Sequence, residues 1–286
     1  MLIMMNPLEF EKIVLPNGLS LILHRNPRIP LVSVCGFLCA GEDQNPVDQP
    51  GCAALTARLL DEGTVHFNSN QISRMLENVG GELNTISERE FTGFCFRIGA
   101  DHCRIVLELM AEMLIRPTFP ADRFEIERAR VENHIRAMDD DAETVGSQLL
   151  NRAIFYPSPL AFPILGTLES LRSITRRDLQ AFHRRKYGPE ATCLIAVGDI
   201  CPKEVRDVVE ELYGDWSNPD LQLDEIEIPS PQKDPVTIRR PMEKEQVTAY
   251  VGHLGIERRN PDYYACLLYT SPSPRDLSTS RMPSSA

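Results

Sequence analysis

Apolar and polar positions recur along this chain with two periods, and their alternation predicts both strands and helices. Phe10 to Leu15 and Leu19 to Leu23 flank Pro16-Asn17-Gly18, which reads as a hairpin with Asn-Gly supplying positive φ. Leu31 to Leu38 is a continuous apolar run between Pro30 and Gly41, the pattern of a central strand. Cys52 to Leu60 has Leu55 and Leu59 on one helical face, with Gly63 as its stop. Asn68 and Ser69 can cap a helix carrying Ile72, Met75, Leu76 and Val79, ended by Gly80 and Gly81. Leu83 to Ser87 and Phe91 to Ile98 read as two further strands.

Helical spacing returns after Asp101, with Val106, Met110, Met113 and Leu114 in register before Pro117. A second stripe of Phe124, Val131, Ile135 and Met138 begins near Pro120, and Asp139-Asp140-Asp141 interrupts it before Val145, Leu149 and Ile154. Thr175 to Tyr187 is a basic amphipathic helix with Asp178 placed for a capping box. Cys193 to Val197 is a short strand and Pro202 to Tyr213 another helix. Strands first, then helices, then a return to strand predict an α+β fold, an antiparallel-rich sheet with helices packed on one face.

The pattern changes at Trp216. Prolines 219, 229, 231 and 235 punctuate Asp220, Asp224, Glu225 and Glu227, as in an interdomain linker. The expected organisation is an N-terminal domain over 1–218, a linker over 219–235 and the beginning of a second domain over 236–268. In that second part Val236 to Arg239 and Gln246 to Val251 read as strands, and Asn260 to Leu268 as the start of a helix. Residues 269–286 are a Ser/Pro/Thr/Arg stretch without periodicity, expected to be a disordered tail foreign to the natural continuation.

Composition narrows the function. A net charge of -11 argues against nucleic acid and against anionic lipid as partners. No apolar run approaches the length that crosses a bilayer. The eight cysteines form no CxxC pair, and several lie in apolar runs, so free thiols in a reducing, cytoplasmic setting are expected. Periplasmic and organellar settings stay open.

Several segments, in order, carry a resemblance: Leu15-Pro16-Asn17-Gly18-Leu19, Gly51 through Leu60 with Asp61-Glu62-Gly63-Thr64, Gly80-Gly81-Glu82-Leu83-Asn84-Thr85 and Leu165-Gly166-Thr167. Phe182-His183 through Tyr187, Ala196-Val197-Gly198-Asp199, Tyr250-Val251-Gly252-His253 and Pro261 through Ala265 continue it. Together they resemble the M16 peptidases, the family of pitrilysin, insulinase and mitochondrial processing peptidase, with its metallohydrolase fold.

That resemblance implies an inverted His-x-x-Glu-His zinc motif and a glutamate ligand much further along. Two histidines four apart on a helix reach one ion, the glutamate between them activates water, and the distant glutamate completes the set. Here the histidine positions hold Ala54 and Arg58, the base position Ala57 and the distant ligand position His134. Methyl groups offer no lone pair, and an arginine does not release its proton to a metal. Neither a catalytic residue nor a metal ligand is therefore expected in this chain, and no cofactor. Among the six histidines no pair is three or four apart on a helix.

Zinc-lacking members of the family pair with active ones to close a chamber around peptide. The resemblance thus implies a noncatalytic subunit that binds or helps enclose peptide or unfolded polypeptide beside an active zinc protease, which would hold the zinc. Leu83, Asn84 and Thr85 are the expected peptide-binding edge. Two alternatives stand beside it: a metalloendopeptidase with unrecognised ligands, and a purely structural assembly protein. The cluster Arg176, Arg177, Arg184, Arg185 and Lys186 reads as a charged outer helix face, or as a face toward a partner.

Overall fold

A computed structural model describes residues 9–230 and 234–270. Its strands are β1 (Glu11–Val14), β2 (Ser20–Arg25), β3 (Leu31–Leu38), β4 (Glu82–Ser87), β5 (Thr92–Gly99) and β6 (Thr192–Gly198). They form one six-stranded sheet in the order β1-β2-β6-β3-β5-β4. Every pairing is antiparallel except that of β2 with β6, which is parallel.

Period-two alternation decides what each face of the sheet does. Leu21, Leu23, Val32, Val34, Phe94, Phe96, Ile98, Leu194 and Ala196 are all buried on one face, where the helices pack. Between them Ile22, Ser33, Cys35, Phe37, Cys95, Cys193 and Ile195 point the other way and stay half-buried. The fold is α+β with helices on one face, as the sequence predicts.

The helices are α1 (Cys52–Arg58), α2 (Ser69–Glu77), α3 (Cys103–Ile115), α4 (Ala121–Asp139) and α5 (Ala142–Phe155). They continue as α6 (Leu168–Ser173), α7 (Arg176–Lys186), α8 (Pro202–Tyr213) and α9 (Tyr263–Thr270). Asn68 caps α2 in a box with Gln71, and Thr175 caps α7 in a box with Asp178. The aspartate run breaks the chain between helices: Asp141 is the N-cap of α5, its carboxylate accepting from Thr144 N at 2.9 Å. α6, with a capping box from Thr167 to Ser170, is an element the periodicity misses because it is only 6 residues long.

The hairpin forms, but not through two positive φ values. Gly18 alone adopts one (φ 90°), and Asn17 instead donates from Nδ2 to Tyr213 O (2.7 Å) and Trp216 O (3.1 Å). The turn is thereby tied to the end of α8.

Four expectations are corrected. Residues 236–239 and 246–251 form no strand; both lie in irregular, exposed chain. An isolated strand leaves its amides unpaired, and no sheet neighbour is there to satisfy them among the described residues. Lys186 does not lie on the outer face of its helix: it is 5% exposed, while Arg176, Arg177, Arg184 and Arg185 are exposed. Cys35 and Cys95 are not free thiols but are joined by a disulfide across β3 and β5, with Cα atoms 4.1 Å apart. The helix expected to run to Leu60 ends at Arg58. The expected tail begins with Tyr269 and Thr270, which close α9; residues 271–286 lie outside the described residues.

The expected linker does not leave the body at once. Asn218 Nδ2 donates to Arg184 O and Tyr187 O, both at 2.7 Å, and Gln222 N donates to Arg185 O at 2.8 Å. Residues 218–224 are thus strapped to the C-terminal end of α7.

Candidate functional site

Helix α1 is seated by two glycines. Gly51, with φ 92°, precedes the helix, and a Cβ there would lie 2.5 Å from Leu165 O. Gly166, with φ 77°, faces it, and a Cβ there would lie 2.2 Å from Pro50 O. Ala53 N donates to Asn45 Oδ1 at 2.7 Å, fixing the first turn against the Glu42–Gln44 3-10 turn.

The residues that α1 presents are packing residues. Ala54 is 2% exposed and Ala57 fully buried, so their methyl groups are enclosed by neighbouring side chains and main chain. Arg58, in the last turn, is half-buried and lines a cavity of about 530 Å³ with Thr85, Glu127 and Arg130. His134 is exposed on α4 and lines a second cavity of about 810 Å³ with Arg89, Arg152 and Arg240. Both cavities are lined by Ser87, Ile164 and Leu165, so they adjoin at the end of β4. Arg58 and His134 do not line the same cavity.

Zinc does not fit this donor set. Ala54 and Ala57 have no donor atom, Arg58 is a permanent cation, and His134 is one imidazole in a different cavity. Among the described residues there is no group of three or more His, Cys, Asp or Glu side chains arranged to hold an ion. Three of the other histidines are engaged separately. His66 Nδ1 lies 2.9 Å from Glu112 Oε2, His24 Nδ1 2.6 Å from Glu9 O, and His183 Nε2–H donates to Leu114 O at 2.9 Å. Burial holds His183 down to about 4, so it is neutral at neutral pH.

Acidic groups crowd the first cavity. Glu127 is 5% exposed and ion-paired to Arg130. Glu62 lies 3.5 Å from Arg123. Burial pushes Asp61 up to about 6, and the charges of Glu62 and Glu127 push the same way. Glu127 was missed by motif matching. It lies three residues after Phe124 and four before Val131, on the apolar stripe of α4, and a glutamate there is a charge facing the core.

Leu83, Asn84 and Thr85 lie on β4, an edge of the sheet. They pair with Phe96, Cys95 and Phe94 on β5, and among the described residues their other side faces no strand. Leu83 is half-buried against the core, Asn84 and Thr85 are exposed, and Thr85 borders the cavity with Arg58.

The loop beyond β4 is held by an ion pair between half-buried Arg89 and buried Glu42. Arg89 Nη1 donates to Glu42 Oε2 (3.0 Å) and to Leu160 O (2.9 Å), joining three segments. Glu42 Oε1 and Asp43 Oδ1 are buried without a partner. Burial raises Glu42 to about 7 and Asp43 to about 6.

Residues 21–168 match the family model described as Insulinase (Peptidase family M16), and residues 173–271 match that of the Peptidase M16 inactive domain. An uncharacterized zinc protease of Mycobacterium leprae is 28% identical over 200 residues, covering 70% of this chain and 45% of the relative. Subunit 1 of the mitochondrial cytochrome b-c1 complex of Caenorhabditis elegans is 30% identical over 168 residues, 59% of this chain and 36% of the relative. The chain therefore spans less than half the length of these curated relatives. A crystal structure of a peptidase M16 inactive domain from Pseudomonas fluorescens superposes with a TM-score of 0.73 at 22% identity, covering 79% of this chain and 55% of that one. The likeness to that crystal structure is one of fold.

Proposed function

The chain belongs to peptidase family M16, and from that premise we propose that it is a noncatalytic subunit that binds or helps enclose peptide beside an active zinc protease chain. The observation that carries this reading is α1, whose ligand and base positions hold two buried alanines and an arginine. A helix packed in this way has neither donors for the ion nor a carboxylate to activate water.

The peptide would add to β4 as a further antiparallel or parallel strand, its main chain satisfying the amides and carbonyls on the side away from β5. Leu83, Asn84 and Thr85 are the residues of that edge, and the cavities at its end would receive side chains. Zinc belongs, in this reading, to the partner.

Three measurements test it together. The protein purified from its source is expected to bring down a zinc-containing relative, to contain no stoichiometric zinc alone, and to bind a fluorescent unfolded peptide. Stoichiometric zinc with peptide cleavage by the isolated natural protein would overturn it. A second reading, a structural component of an assembly, is favoured by the likeness to a cytochrome b-c1 subunit. It predicts the same lack of zinc but no saturable peptide binding.

A further inference from the structure

The register across the sheet sets one row of side chains on the face that the helices leave open: Lys12, Ile22, Ile195, Cys35, Cys95 and Asn84. Cys35 and Cys95 sit side by side in this row and are bonded. Both are only half-buried, in contrast to Cys52, which is in the core. The bond links β3, at the middle of the sheet, to β5, which alone holds the edge strand β4. Asn84 of β4 is the next residue in the row after Cys95.

We propose that Cys35 and Cys95 form a reversible thiol-exchange site, open to small dithiols on the uncovered sheet face, whose oxidation state sets the stiffness of the β4 edge. The exchange is explicit. A thiolate of the small dithiol attacks one protein sulfur, forms a mixed disulfide and releases the other cysteine as a thiolate, which takes a proton. The second sulfur of the dithiol then displaces the first protein sulfur and closes its own ring, leaving two protein thiols and a cyclic disulfide. Two electrons and two protons pass to the protein, and a small disulfide such as oxidised glutathione reverses the change.

The attacking group comes from solvent. Cys39 and Cys193 lie on the same face, Cys193 opposite Phe37 and Cys39 bonded through its amide to Ala191 O at 3.0 Å. Burial pushes both thiols up, leaving little thiolate to attack from within. The Phe37 ring lies over Gly93 and against Phe91 at 5.5 Å between centroids. Phe37 and Gly93 are paired two positions along from Cys35 and Cys95, so the ring sits over the neighbouring pair.

The oxidised state joins β3 to β5 covalently in addition to their hydrogen bonds, so opening of the β5–β4 pair from the sheet must proceed without separation at that row. The exchange site stands on its own chemistry; only its bearing on peptide rests on the proposed function. The test is differential alkylation and mass spectrometry on the folded chain, followed by amide hydrogen exchange. Dithiothreitol without denaturant is expected to expose Cys35 and Cys95 to iodoacetamide, and oxidised glutathione to close them again. Cys39 is labelled in both states and Cys52 in neither. Amides of β4 and β5 are expected to exchange several-fold faster after reduction, and in a Cys35→Ala/Cys95→Ala variant regardless of reductant. A bond that resists dithiothreitol in the folded chain, thiols that never join, or equal exchange in both states would overturn the proposal. None of these readouts involves peptide, so failure here leaves the peptide reading to its own titration.

Discussion

Lys186 Nζ lies 2.7 Å from Asp224 Oδ2 and 3.1 Å from Gln44 Oε1, deep in a protein surface where lysine is rarely enclosed. Gln44 completes the joint: its Oε1 accepts from Asp224 N at 2.9 Å and its Nε2 donates to Asp224 O at 3.1 Å. Asp224→Ala leaves a buried ammonium with one neutral partner and is expected to cost about 1–3 kcal/mol. Lys186→Met removes the buried charge and leaves only Asp224, whose carboxylate is exposed to water, so it is expected to cost less. Urea midpoints of the two variants check the order; equal losses would contradict it.

The second prediction concerns acid and base. Glu42 is raised to about 7 and Asp43 to about 6, so between their ordinary values and these the folded state keeps protons that the unfolded state has released. Stability from Glu42 therefore falls as pH rises from 4.5 to about 7, and that from Asp43 as it rises from 3.8 to about 6, by at most about 1.4 kcal/mol per pH unit for each. His183, held at about 4, acts oppositely: its contribution grows as pH rises from 4 toward its ordinary value of 6.5. Glu42→Gln keeps an acceptor for Arg89 and removes one titration. Its unfolding free energy, minus that of the unaltered chain, is expected to increase with pH across this window. A flat difference would remove the carboxylate from the account.

Restoring one ligand should not restore zinc. Ala54→His puts an imidazole into a position that is 2% exposed, and overpacking of this kind costs about 1–3 kcal/mol. Arg58 and Ala57 remain, so atomic absorption after dialysis is expected to find no bound metal. Tight uptake by this single variant would mean that α1 is not the helix of the zinc motif.

The glycine pair is a sharper test of how α1 is seated. A Cβ at Gly166 would meet Pro50 O at 2.2 Å, and the positive φ adds strain. Gly166→Ala is expected to lower stability by about 2 kcal/mol or more. Gly80 also has positive φ, 62°, but nothing lies within 4 Å of an added Cβ. Gly80→Ala should cost only the backbone part, about 1 kcal/mol. Thermal unfolding of the two variants separates contact from conformation.

If peptide adds to β4, main-chain methylation should matter more than side-chain identity. A peptide N-methylated at alternate residues on one register is expected to bind about tenfold weaker than its unmodified form, through one or two lost hydrogen bonds. Methylation in the other register should have little effect. Fluorescence anisotropy with both peptides reads the difference, and insensitivity to either would remove β4 as the docking edge.

Local rules carried much of the fold. The run Leu31–Leu38 and the helix Pro202–Tyr213 were legible to the residue, because an apolar run bounded by proline and glycine and a proline at a helix start are signals written in one short stretch. What sequence could not give was pairing at long range. That Lys186 meets Asp224, that Cys35 stands opposite Cys95, and that Gly51 faces Gly166 all depend on segments brought together by the whole fold. The strands expected at 236–239 and 246–251 failed for the same reason: a strand is completed by its neighbour, and propensity alone does not provide one. The lack of metal donors at Ala54, Ala57 and Arg58 was legible because it needs only identities at three positions; the division of Arg58 and His134 between two cavities needed geometry.

The place of β6 bears on how the chain comes to be folded at all. Among the described residues it is the last strand in sequence, yet it lies between β2 and β3, so nothing before residue 192 can close the sheet. A ribosome extruding this chain must hold the hairpin β1–β2 and the three-stranded piece β3–β5–β4 as separate pieces until then, each with a raw inner edge. Those edges stay exposed from the synthesis of β5 until that of β6, and that interval is when a chaperone would have the most to cover.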